Sequence, residues 1–196
     1  MSTKVTTGKV RFSYVNIFEP QVPKDGGDPK YSITLLIPKT DTATVGKIKA
    51  AIAEARENFC KRNGASALPA NPNTPLHDGD GVKPNSAEPY GPECKGCWVL
   101  AASAKSTQKP LVADEFGKEI SGPNTVCENP GAVYSGCYGR AVINFYGYSN
   151  RRKGIGAGLL GIKKLHDGEP FGTMASLSDF DDGYVDSEAG VDDDFM

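Results

Sequence analysis

The stretch Val133–Lys153, VYSGCYGRAVINFYGYSNRRK, decides how the rest of the chain is read. Taken at the two-residue period of a strand, its even positions are Tyr134, Gly136, Tyr138, Arg140, Val142, Asn144, Tyr146 and Tyr148, while Val133, Cys137, Ala141, Ile143 and Phe145 fall on odd positions. One face is apolar and the other aromatic and basic. A half-buried strand normally turns flexible charged side chains to water. Flat aromatics alternating with an arginine call instead for a ligand with π-faces and negative charge, which describes single-stranded nucleic acid. The competing reading is an ordinary sheet strand whose tyrosines rim the core.

Outward from this stretch the pattern stays mostly β. Lys9–Phe18 and Tyr31–Ile37 are rich in β-branched and aromatic residues, and the loop between them carries Asp25-Gly26-Gly27 flanked by Lys24 and Lys30, so the two predict a wide hairpin. From Thr42 to Arg62 the period changes to helical, with Val45, Ile48, Ile52, Ala55 and Phe59 on one stripe and Asn63-Gly64 as the stop. Residues 64–93 hold six prolines and four glycines without periodicity, and read either as an ordered excursion over the surface or as an arm that grips a partner. Strand character returns at Gly96–Ala104. Ser149–Gly154 reads as a basic hairpin tip and Ile155–Leu165 as a glycine-rich strand. Five or six strands with one helix and no repeat predict a mainly β chain, folded as a small, strongly curved antiparallel barrel with an inserted α-helix and a long Pro/Gly-rich loop.

Composition narrows the classes. The 196 residues are 38% hydrophobic with 23 Gly and 14 Pro, which suits a modest core with long excursions. No apolar run approaches the ~20 residues needed to span a bilayer, and MSTKVTTGKVRF lacks the apolar centre of a signal peptide, so a soluble protein of the cytoplasm is expected. Cys60, Cys94, Cys97, Cys127 and Cys137 are an odd number of thiols, expected to be reduced. The net charge of −2 conceals an asymmetry: residues 179–196 carry eight acidic groups and no Lys or Arg, leaving 22 basic and 16 acidic groups before them, a body of +6 and a tail of −8. Such a split points to a nucleic-acid-binding body with an acidic appendage.

Other motifs carry less. Cys94-Lys95-Gly96-Cys97 has the spacing of half a zinc site, but the remaining ligands would have to come from Cys127, Cys137, His77 or His166, and no second paired motif exists. Unligated thiols are the expectation, with no cofactor. Gly156-Ala157-Gly158-Leu159-Leu160-Gly161 matches GxGxxG literally without the βαβ context that gives the motif its meaning, so glycines where a strand bends in a tight barrel explain it better. No triad, HExxH or Walker motif is present, and nothing recommends an enzyme.

The basic and aromatic residues do converge. Tyr134, Tyr138, Tyr146 and Tyr148 are the candidates for stacking on bases, with Trp98 either joining them or taking a place in the core. Arg140, Arg151, Arg152 and Lys153 are the candidates for phosphate, with Lys163 and Lys164 close by in the next strand. The tail ends on Asp192-Asp193-Asp194-Phe195-Met196 and has Phe180 and Tyr184 spaced through the acid, so it imitates nucleic acid in charge and stacking. It is expected to lie in the basic groove when DNA is absent and to turn to partner proteins when DNA displaces it. A disordered solubilising end has the same composition.

With YSGCYGRAVINFYGYSNRRKGIGAGLLGIKKLHDGEPFG, KVRFSYVNIFEP, KYSITLLIPK and the acidic end on the page, the chain resembles a family of bacteriophage single-stranded-DNA-binding proteins with an OB-fold core and an acidic C-terminal tail. The resemblance covers most of the chain outside residues 64–93, and Met196 after Phe195 departs from members that finish on phenylalanine. It implies an OB-fold-like DNA-binding domain over residues 1–178 and a tail over 179–196. It also implies protection of single strands in phage DNA replication, recombination and repair, contact with replication proteins through the tail, and dimerisation. A phage structural or assembly protein with a β core is the alternative, and a zinc-dependent nucleic-acid enzyme built on Cys94 and Cys97 is a third.

Overall fold

The computed structural model describes residues 2–172 other than Asp25, Glu128 and Arg151. Its strands are β1 (Lys4–Thr6), β2 (Val10–Gln21), β3 (Lys30–Pro38), β4 (Leu76–Asp78), β5 (Cys97–Lys105), β6 (Leu111–Ala113), β7 (Glu119–Ser121), β8 (Tyr138–Ser149) and β9 (Lys153–His166), with the helix α1 (Thr42–Asn63) between β3 and β4. Five strands close a barrel. β2, β3 and β5 form an antiparallel meander, β5 meets β9 in parallel at Ser103 and Gly158, β9 pairs with β8 along its length, and β8 returns to β2 at Val10↔Gly139 and Arg11↔Tyr138. The two closing seams are narrow. β1 lies beside β8, β4 beside β5, and β6 with β7 extends the sheet past β9. The architecture is mainly β with an OB-like closure, as the sequence predicts; the extra strands are three residues each, too short to show a period.

Alternation fills the barrel. Phe12, Ile33, Leu35, Ile37, Leu100, Ile143 and Phe145 point inward and are buried. The helix seals one end with Val45, Ile48, Ala51 and Ala55, a stripe at helical spacing. Its start is fixed by Asp41, whose carboxylate accepts the Thr44 amide at 3.0 Å, and its stop by Gly64, whose amide donates to the Cys60 carbonyl at φ 100°. Glu57 pairs with Lys61 one turn later.

One expectation is corrected, and one left open by the sequence is resolved. Val133–Cys137 is a turn rather than the start of β8, because Gly136 takes a φ of 120° and the Cys137 amide donates back to the Tyr134 carbonyl. Residues 64–93 are an ordered excursion: β4 pairs with β5, the Ile155 amide donates to the Asn73 carbonyl at 2.7 Å, and Val82 bridges Pro89. No helix among the described residues is long and apolar enough to cross a membrane.

Candidate nucleic-acid interface

The outer face of β8 holds its even positions, and Tyr146 is the most open of its tyrosines, with 46% of its surface exposed. Its ring lies flat across β9 because Gly156 and Gly158 leave the space: a Cβ on Gly156 would stand 2.8 Å from Tyr146 Cζ, and one on Gly158 3.5 Å from Cε1. The GxGxxG stretch is therefore a floor for an aromatic ring. Burial pushes the Tyr146 phenol up, with Tyr148 adding to it, so it stays neutral. Beside the ring opens a cavity of about 750 Å³ lined by Asn144, Gly158, Ser103, Lys30 and Lys105.

From there the surface continues along the outward pairs of β3 and β5: Lys30↔Lys105, Ser32↔Ser103 and Thr34↔Ala101. At ~3.3 Å per residue these span ~13 Å. The result is a groove with two exposed lysines at its mouth, small side chains along its floor and Tyr146 on its wall. It offers charge for phosphates and a ring for a base.

The other predicted residues are placed differently. Tyr138 has the His166 ring 4.8 Å away and Arg11 Cζ at 5.3 Å, so its faces meet neighbours of the same chain. Tyr134 sits in the turn before β8, where its hydroxyl proton has Asp167 Oδ1 (3.0 Å) or the Gly168 carbonyl (2.9 Å) as acceptor and its oxygen accepts from the Gly168 amide (3.2 Å). Tyr148 extends past Gly154 to Asn73, whose amide approaches its hydroxyl at 3.5 Å. Arg140 donates to the Thr7 carbonyl at 2.8 Å, and Arg152 to Asn85 at 3.3 Å. Lys153 is exposed at the hairpin tip. Trp98 pairs with Ile37 on the core-side register, against the core, with Lys49 Nζ 4.7 Å and Lys39 Nζ 5.6 Å from its ring, so it belongs to the α1 end and not to the groove. Lys164 is buried and paired with Asp167 at 2.8 Å, whereas Lys163 is exposed beside Arg140. Arg151, Asp192, Asp193, Asp194 and Phe195 lie outside the described residues.

Two participants escape the sequence reading, Lys30 and Lys105. The sequence places Lys30 only at a turn, and its alignment with Lys105 depends on a register between strands far apart in sequence. Cys94 packs against Leu36 and Val99, and its thiol is pushed up to about 11 by burial, then by Glu93. Among the described residues no three His, Cys, Asp or Glu groups gather in a metal-binding cluster.

The family described as "Enterobacter phage Enc34, ssDNA-binding protein" matches residues 3–196. The chain belongs to this family. The Enc34 single-stranded DNA-binding protein in complex with ssDNA has a similar structure, with a TM-score of 0.68 and 38% identity over 87% of this chain and 90% of that one. A second structure of the Enc34 single-stranded DNA-binding protein gives a TM-score of 0.65 and 35% identity over 92% of this chain and 90% of that one. "Putative protein p50" of Acyrthosiphon pisum secondary endosymbiont phage 1 is 36% identical over 186 residues, covering 91% of this chain and 93% of its own. The single-stranded DNA binding protein of bacteriophage T7, at 15% identity and a TM-score of 0.58, shares the fold. The Enc34 family is a non-enzymatic class of phage protein.

Proposed function

We propose that the protein binds single-stranded DNA without marked sequence preference, coating and protecting it during phage replication, recombination and repair in the cytoplasm of the host. The groove between Tyr146 and the Lys30–Lys105 pair carries this reading, since it joins a ring resting on glycines to two exposed cations. Stacking of one base on an aromatic contributes ~1–3 kcal/mol, and each phosphate contact adds a salt-dependent term. Lys153 and the hairpin tip extend the basic surface, and Tyr148 and Arg140 line the same strand face. Tyr134 and Tyr138 hold the start of β8 and Trp98 the α1 end, so they shape the barrel that carries the groove without lining it. The acidic residues 179–196, with Asp192, Asp193, Asp194 and Phe195 at their end, compete with DNA for the basic body and contact replication proteins once displaced. The protein acts as a homodimer, as the family resemblance suggests.

Titration with oligo-dT at low salt, using the full chain and a chain ending at residue 178, tests this. Both forms are expected to bind, with affinity falling steeply as salt rises, and the shorter form is expected to bind more tightly because a −8 segment is gone. If neither form changed the mobility or fluorescence of the oligomer, the reading would be wrong.

A further inference from the structure

At the end of the groove away from Tyr146, the outer faces of β2, β3 and β5 and the limb of the excursion that runs from Lys83 to Cys94 enclose a second cavity of about 280 Å³. It is much smaller than the opening beside Tyr146 and below the ~300–1,000 Å³ typical of sites for drug-sized ligands. Its bottom is apolar, made by Leu36, Val99, Cys94 and Ala101, and two aromatic side chains, Tyr14 and Tyr90, stand at its sides. Tyr14 is 69% exposed at a φ of 47°, in the left-handed region that a bulky residue seldom enters. That conformation falls where the β2–β3 register shifts between Ser13 and Asn16, so the backbone bulge is what presents the ring.

The polar groups of the cavity are adaptable. Ser13 and Thr34 stand opposite each other in register, and their hydroxyls can rotate to donate or accept. His77 lies beside Val99 on β4, and burial lowers its pKa, so at neutral pH its ring offers one donor and one acceptor. Charge is confined to Lys83 and Glu93 on the limb. An apolar slot between aromatic rings, with polar atoms that can reverse role, fits a flat heteroaromatic ring whose edge varies.

We propose that this cavity is a socket for one unstacked nucleobase of the bound strand, drawn out of the run of bases that crosses the groove. The inference rests on the single-stranded-DNA reading. It goes beyond that reading in making one nucleotide position unlike the others. Rotatable hydroxyls and a neutral imidazole accept any of the four base edges, so the socket fixes register without imposing sequence. The groove leads into it continuously, since Thr34 and Ala101 form both the end of the groove floor and the wall of the cavity.

An abasic scan tests the socket. A single abasic nucleotide is moved through each position of the shortest oligo-dT the full chain retains, and affinity is measured at each. One position is expected to lose about tenfold or more, the others about twofold. In Tyr14→Gly, which removes the exposed ring at the side of the cavity and suits the left-handed backbone there, the sensitive position is expected to vanish while oligomer binding persists. Tyr90→Ala, which removes a wall from the excursion and leaves the barrel strands untouched, should flatten the same profile and serves if Tyr14→Gly folds poorly. A flat profile in the wild-type chain, or a sensitive position unchanged in both variants, would overturn the socket while leaving DNA binding standing. Failure of the wild-type chain to retain any oligomer would overturn the DNA-binding reading itself, and the socket with it.

Discussion

The two ends of β8 carry the same sequence pattern and end up with different work. At the start of the strand, Tyr138 and Arg140 alternate outward as predicted, but Tyr138 meets His166 and Arg11, and Arg140 is tied to the Thr7 carbonyl. Arg11 in turn donates to the carbonyls of Gly136 and Glu169 at 2.9 and 2.6 Å and lies 4.2 Å from the Phe171 ring, so this end fastens residues 167–172 to the barrel. At the other end, Tyr146 faces Gly156 and Gly158 of β9 and an open cavity. Alternation determines which face a residue occupies. Whether that face is free depends on what the neighbouring strand places opposite.

The sharpest way to break this contrast is to remove the two rings in turn. Tyr146→Ala is expected to lower affinity for oligo-dT by ~1–3 kcal/mol, about 5- to 150-fold, with little change in thermal stability. Tyr138→Ala is expected to reverse the pattern, leaving affinity nearly intact while costing about 0.5–1 kcal/mol of stability through its lost cation–π contacts. Equal effects of the two on affinity would erase the distinction. The lysines at the groove mouth sharpen it further. If Lys30 and Lys105 each hold a phosphate, Lys30→Met with Lys105→Met should make the slope of log K against log salt shallower by about 1.4, and the same exchange at Lys163 should not accompany it.

The smallest effect belongs to the fastening end and is read by pH. The Lys164 ammonium and then the Tyr134 hydroxyl hold the Asp167 carboxyl below its ordinary value. A carboxylate depressed in this way adds stability that is full above the unfolded value of ~3.9 and is lost as pH falls through the lower folded value. On the Lys164 side, burial is the largest influence and would lower the ammonium, but the hydrogen bond to Asp167 together with the nearby charges of Asp167 and Glu115 outweighs it and keeps the group above its ordinary value. Its share is complete below ~10.4 and disappears as pH rises through the folded value. Melting temperature followed from neutral pH to about pH 2 should fall less in Asp167→Asn than in the parent chain. DNA binding near neutral pH should be the same in both.

Much of the fold was legible because it depends on short-range patterns. The helix from Thr42 to Asn63, its stop at Gly64 and the inward positions of Ala141, Ile143 and Phe145 follow from spacing alone. Even Cys137 and Val133 are buried where the period put them, although a turn delivers them instead of a strand. The site was less legible. Alternation puts Tyr146 outward, yet nothing in its own segment distinguishes it from Tyr134, whose hydroxyl meets Asp167 and Gly168. For Trp98 the sequence leaves stacking and a core position both open, because a lone tryptophan has no period of its own, and the structure packs it against the core. Lys30 and Lys105 meet only through the pairing of β3 with β5, a long-range register that local sequence does not encode.

The glycine lane on β9 carries a consequence for how firmly the barrel holds together. Gly154, Gly156 and Gly158 stand opposite Tyr148, Tyr146 and Asn144, and each costs the folded strand roughly 0.5–1 kcal/mol of backbone entropy relative to alanine. Three of them amount to ~1.5–3 kcal/mol, a sizeable share of the ~5–15 kcal/mol by which a domain usually stays folded. The strand that seals the barrel against β5 through one parallel bridge is thus also among its least self-supporting. A flat seat for an aromatic ring is obtained there at the expense of rigidity, and a ligand lying across the ring would bind the folded form alone and so return stability to the seam.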